Sequence, residues 1–196
     1  MLPIRLAILA SGSGSNAENI YNYFSNRPDV KISIIISNKV DAYVHQRAER
    51  LEIPSITMSN ASLSDADVFL SVLRKFEIDF IILAGYLLKI PDGVVKAYPN
   101  HMINIHPSLL PKFGGKGMYG DKVHESVVQA REKESGITIH LIDENYDEGS
   151  IVFQAKCPVL ESDNPVDVAS KVHALEYEYF PVIIDQVLRK EFGEIL

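Results

Sequence analysis

A single cysteine, Cys157, stands among 196 residues, so no intrachain disulfide can form and an extracellular disulfide scaffold is disfavoured. Clustered lysines and arginines are also missing. The formal charge is −7, which argues against a nucleic-acid partner, because phosphate affinity rests on grouped cations. The apolar start Met1–Leu9 is too short to cross a membrane, and it lacks the basic region and small-residue cleavage site of a secretion signal. Repeats, low-complexity tracts and Gly/Ser linkers are absent, so residues 1–196 are expected to form one domain. With 46% hydrophobic residues, that domain can build a substantial core. These features lead to the expectation of a soluble, cytoplasmic protein with no membrane partner, and leave its chemistry open.

Short β-branched runs alternate with helical patterns, which points to an α/β fold. Ile4–Leu9 and Ile32–Ile36 are near-continuous apolar runs, as expected of strands covered on both faces. Phe80–Leu83 and Met102–Ile105 have the same character. Helices are expected near Ala17–Phe24, Tyr43–Leu51 and Leu63–Phe76. Further on, Ile137–Ile142 and Ile151–Lys156 flank the acidic connection Asp143–Ser150 in a hairpin-like arrangement. A helical pattern then runs from about Pro165 to Arg189, with Pro181 expected to bend or restart it. The expected fold class is therefore α/β: a Rossmann-like, mainly parallel sheet with helices on both faces and an antiparallel C-terminal portion.

Three motifs carry chemistry. The first, Ser11-Gly12-Ser13-Gly14-Ser15-Asn16, follows the first strand and opens a helix. Glycines let the backbone approach a ligand closely, and the N–H groups at a helix start attract an anion. Gly12 to Ala17 also fits the relaxed dinucleotide pattern G-x-G-x-x-A. However, the second strand ends Ser37-Asn38-Lys39, with no carboxylate until Asp41 to hold a ribose. The motif alone leaves a cofactor phosphate and a substrate phosphate both open.

In the second motif, Asn104-Ile-His106-Pro-Ser-Leu-Leu-Pro111, Asn104 and His106 lie two apart at a strand end and share one face. Ile105 points the other way, into the core. A carboxamide and an imidazole side by side can donate to an oxygen that gains negative charge, and Pro107 and Pro111 stiffen the exit from the strand. In the third motif, Thr138 and His140 share a strand face, and Asp147 follows seven residues later. A carboxylate beside an imidazole raises its pKa and can accept a proton. The alternative for Asp143, Glu144, Asp147 and Glu148 is a solvated acidic loop. Metal-binding spacings such as H-E-x-x-H do not occur, so no metal is expected.

Taken in order and spacing, these motifs resemble the folate-dependent formyltransferases, most closely the glycinamide ribonucleotide formyltransferases. The similarity extends from Ile4 to about Leu188 and includes Leu83-Ala84-Gly85-Tyr86-Leu87 and Gln154-Ala155-Lys156. The resemblance implies the formyltransferase fold and transfer of a formyl group from 10-formyltetrahydrofolate, as cosubstrate, to the primary amine of 5-phosphoribosylglycinamide in purine biosynthesis. Asn104, His106 and Asp147 match the family's catalytic trio, with Thr138 and His140 in support. Gly14, Ser15 and Asn16 match the substrate-phosphate loop, and Glu176 matches a carboxylate that contacts the same substrate. On sequence grounds alone Glu176 reads as an exposed helix glutamate. Leu87, Leu88, Lys89 and Ile90 match the pterin-pocket segment, and His124 matches a family histidine. Phe113–Gly120 is longer than the family's usual loop.

Small molecules, with no nucleic acid, are thus the expected partners, and the oligomeric state stays open. One rival keeps the chemistry and changes the acceptor, to a sugar-nucleotide amine or an aminoacyl-tRNA. Another is a non-catalytic nucleotide-binding module, which would leave Asn104, His106 and Asp147 without a role.

Overall fold

A computed structural model describes residues 2–193. Seven strands, β1 (Ile4–Leu9), β2 (Val30–Ser37), β3 (Ser55–Thr57), β4 (Phe80–Leu83), β5 (Met102–His106), β6 (Glu134–Leu141) and β7 (Ile151–Pro158), form one sheet in the order β3-β2-β1-β4-β5-β6-β7. β1 pairs in parallel with both β2 and β4, and β4 with β5, whereas β5–β6 and β6–β7 are antiparallel. The expected parallel start and antiparallel finish are both present. Connections from β1 lead first to one side of the sheet and later, through β4, to the other. That reversal opens a crevice beyond the carboxyl ends of β1 and β4, where ligands of open α/β sheets bind.

Burial explains the apolar strands. Leu6 and Ile8 pack under α1 (Ser15–Phe24) and α7 (Pro165–Phe192), while Ala7 and Leu9 face α4 (Ala66–Lys75) on the other side. With both faces covered, successive side chains of β1 meet apolar surroundings, which is why the alternation of a half-exposed strand is missing.

Two helical expectations are revised. The continuous helix expected over Leu63–Phe76 is two helices, α3 (Asn60–Ser64) and α4. Asp65 between them is extended, at φ −89° and ψ 110°, and its carboxylate accepts the backbone N–H groups of Asp67 and Val68. The N-cap it provides ends one helix and starts the next. Conversely, Pro181 does not restart α7, which runs unbroken for 28 residues. Proline removes the hydrogen bond to the carbonyl four residues back, here Tyr177, and the Asn19 amide supplies that bond instead at 2.9 Å. At its start, α7 has Pro165 in the first turn and a reciprocal cap between Asn164 and Asp167.

Three short elements lacked a clear period in the sequence: β3, α5 (Asp92–Ala97) and α6 (Asp121–Gln129). Among the described residues no helix is long and apolar enough to cross a membrane.

Candidate active site

The crevice holds a cavity of about 330 Å3, lined by the turn after β1, the loop after β4, the end of β5, the 118–120 loop, the acidic connection after β6, and α7. All three sequence motifs meet there. Thr138 and His140 are fully buried beside it.

At one end, α1 begins at Gly14, which has φ 72°. A Cβ at this position would overlap the Val44 side chain. Glycine is therefore required twice, by conformation and by space. α2 (Val44–Arg50) holds the turn from behind: the Val44 N–H donates to the Gly12 carbonyl at 3.1 Å, and Arg47 Nε donates to the Ser13 carbonyl at 2.8 Å. With those carbonyls engaged, the N–H groups at the start of α1 are left to an incoming anion.

Asn16 is buried on the first turn of α1, and its Nδ2 donates to Glu176 Oε2 at 2.9 Å. The reading of Glu176 as an exposed helix glutamate is corrected: it is 7% exposed and lines the cavity. Burial pushes its carboxyl above the ordinary value, partly offset by the Asn16 hydrogen bond and His173. The Asn16 Oδ1 atom is buried without a hydrogen-bond partner, so this end offers both a carboxylate and an unused acceptor to ligand hydroxyl or amine groups.

At the other end, β5 brings Asn104 and His106 onto one face, directly opposite His140 and Thr138 of β6. His140 Nδ1 lies 3.0 Å from the Leu141 carbonyl, an acceptor only, so Nδ1 carries the proton. Nε2 is then the acceptor for Asn104 Nδ2, at 3.0 Å. This bond fixes the carboxamide and leaves its second N–H for the cavity. Thr138 serves the turn instead. Its hydroxyl donates to the Ser108 carbonyl at 2.7 Å and accepts from the Leu110 N–H at 2.9 Å and Gln154 Nε2 at 2.8 Å.

Asp147 does not belong to a solvated loop. Glu144 and Glu148 are exposed, but the Asp147 side chain is 7% exposed and sits 3.7 Å from both His106 Nδ1 and His140 Nε2. Its Oδ2 accepts the Gly115 N–H at 2.9 Å. Asp147 pulls the His106 pKa upward, as expected of a carboxylate beside an imidazole, but it is not the larger influence. Burial depresses the His106 imidazole below its ordinary value, outweighing the upward pull of Asp147 and of the Phe113 carbonyl. His106 Nε2 is 2.8 Å from that carbonyl, and so is its protonated nitrogen in the neutral form.

Leu87, Leu88, Lys89 and Ile90 line the cavity between these ends. Ile90 is buried, Leu87 and Leu88 are half-buried, and Lys89 is exposed and paired with Asp92 at 2.9 Å. His124 also lines the cavity. Burial, reinforced by His173, pushes its imidazole down to about 4. Two contacts escaped the sequence reading. Ser11 Oγ accepts the Leu87 N–H at 3.1 Å, and the Tyr146 hydroxyl donates to the Leu87 carbonyl at 3.2 Å. No spacing announces either contact, although Tyr146 does adjoin Asp147.

Comparison with known proteins agrees with this architecture. Residues 4–184 match the formyl transferase family model. The chain is 39% identical to the chloroplastic phosphoribosylglycinamide formyltransferase of Vigna unguiculata, over 92% of this chain and 60% of that protein. It spans less than two thirds of the length of the chloroplastic relatives it matches. Identity to the phosphoribosylglycinamide formyltransferase of Bacillus subtilis is 35%, over 94% of each chain. The crystal structure of phosphoribosylglycinamide formyltransferase from Anaplasma phagocytophilum superposes with a TM-score of 0.86 at 33% identity, covering 95% of this chain and 87% of that one. A motif-bearing crevice, a matching seven-stranded sheet and near full-length similarity to the bacterial relative together place the chain in the formyl transferase family, in its phosphoribosylglycinamide formyltransferase branch.

Proposed function

We propose that residues 1–196 act as one formyltransferase domain, a cytoplasmic enzyme moving the formyl group of 10-formyltetrahydrofolate onto the primary amine of 5-phosphoribosylglycinamide. The observation that carries this reading is a single cavity with Asn104, His106 and Asp147 at one end and an anion-accepting helix start at the other. The start of α1, with Gly14, Ser15 and Asn16, takes the substrate phosphate, and Glu176 takes polar groups beside it. Leu87 to Ile90 form a largely apolar wall for the flat pterin.

Attack of the amine lone pair on the formyl carbon forms the new C–N bond and moves the carbonyl π electrons onto oxygen. Asn104 Nδ2–H and a protonated His106 hold that oxyanion, with the formyl oxygen replacing the Phe113 carbonyl as the imidazole's acceptor. Burial opposes the imidazolium, whereas the growing negative oxygen and Asp147 together favour it. Asp147 receives the amine proton through water. Collapse restores the carbonyl, breaks the bond to folate N10 and returns one proton to that nitrogen. Each oxyanion donor contributes on the order of 3 kcal/mol to the barrier. The partners are small molecules, without nucleic acid, and the mechanism calls on no metal.

The test is turnover of glycinamide ribonucleotide and 10-formyltetrahydrofolate by purified protein with no metal added, alongside His106→Ala. Activity that disappears in the variant supports the assignment. A folded wild-type protein without turnover would overturn the acceptor and the reaction.

A further inference from the structure

Asp147 occupies an unfavourable place in the backbone. Its φ is 57°, in the left-handed region that few side-chain-bearing residues adopt and that is kept where the surroundings enforce it. Three contacts do so. Gly149 packs so closely on the Leu141 carbonyl that any Cβ would overlap it. The Gly115 N–H holds the Asp147 carboxylate at 2.9 Å. The third contact is the bond from the Tyr146 hydroxyl to the Leu87 carbonyl, which joins the acidic connection to the loop after β4.

Leu87 is itself anchored, because its N–H is held by Ser11 Oγ and the Ser11 N–H donates to the Gly85 carbonyl at 3.0 Å. The Tyr146 bond therefore ends on a fixed point of the scaffold. Tyr146 lines the cavity and is half-buried, so its hydroxyl is partly withdrawn from competing water.

We propose that Tyr146 is a positioning residue for Asp147: its hydroxyl bond to Leu87 holds the strained turn at which the carboxylate faces His106 and His140. The role rests on the catalytic assignment of Asp147 for its meaning in turnover, but the geometric claim stands apart from it. A phenylalanine keeps the ring and removes only the tether. Asp147 then leaves its place beside the imidazoles for much of the time.

The experiment is an NMR titration of 13C-labelled histidine in the full chain, comparing wild type, Tyr146→Phe and Asp147→Asn, with thermal melts to verify folding. The groups facing His106 are Asp147 from the acidic connection, His140 from β6 and His124 from α6, so each histidine resonance is assigned. Losing Asp147 lowers the His106 pKa, because its charge is an upward influence. Tyr146→Phe is expected to reproduce most of the Asp147→Asn shift, and to reduce kcat by about tenfold or more with little change in KM for glycinamide ribonucleotide. A His106 titration in Tyr146→Phe that overlays wild type, while Asp147→Asn shifts it, overturns the proposal. A shifted titration in Tyr146→Phe, together with a wild-type protein that lacks formyl transfer, would retain the tether and reject the catalytic reading.

Discussion

Asn104 and His140, opposite each other on antiparallel strands, share a hydrogen bond whose direction is set by the backbone carbonyl of Leu141. The imidazole thereby decides which way the carboxamide points. Burial pushes the His140 pKa down, offset in part by that carbonyl and by Asp147. The neutral, accepting form of Nε2 is thus the one the site favours.

Asn104→Ala should lower kcat by about 10²–10³-fold, the effect of losing one oxyanion donor. His140→Ala should cost about ten- to a hundredfold by releasing the carboxamide. His140→Gln should restore part of it, since its amide oxygen can accept the same bond. If His140 acts through Asn104, the double alanine variant is no slower than Asn104→Ala alone. Multiplying losses in single-turnover kinetics would defeat that account.

Stability should fall on mild acidification. The folded-state pKa of His124, about 4, is below its ordinary 6.5, so the folded protein binds fewer protons than the unfolded chain between those values. Its contribution is complete above about pH 6.5, is lost as pH falls toward 4, and changes no further below that. His106 and His140, also depressed, add to the same trend. His124→Gln should reduce the slope of unfolding free energy between pH 6.5 and 4 by up to about 1.4 kcal/mol per pH unit, one proton's worth. Urea melts across this range give the slope directly, and identical slopes in variant and wild type would rule His124 out as a contributor.

The unbroken course of α7 through Pro181 depends on a bond from outside the helix. Asn19→Ala should destabilise the fold by about 0.5–1 kcal/mol by removing the donor to the Tyr177 carbonyl. In a Pro181→Ala background the residue at 181 has its own N–H for that carbonyl, and the cost of Asn19→Ala should shrink. Equal costs in both backgrounds, measured by equilibrium unfolding, would show that Asn19 stabilises by some other route.

What the sequence disclosed follows from where the information is local. The apolar runs of β1, β2, β4 and β5 record burial on both faces, and a two-residue spacing is enough to put Asn104 and His106 together. Elements such as β3, with three residues, are too short to repeat the two-residue period of a strand twice. The break at Asp65 was hidden because α3 and α4 preserve a helical pattern across it, and only the cap geometry separates them. Tertiary influences were less legible still. Whether Glu176 is exposed depends on α1 lying against it. Whether His106 is raised or lowered depends on burial exceeding the pull of Asp147, a balance that neighbouring residue types do not encode.

The Asn16–Glu176 bond spans 160 residues of chain, which gives the site a place in the order of synthesis. A nascent chain that has completed β1 to β7 already carries Asn104, His106 and Asp147, yet it has only one wall of the cavity at the Asn16 end. The opposite wall arrives with α7. A ligand that needs both walls can therefore stabilise the fold only after α7 has been made, and its shorter precursors gain nothing from it.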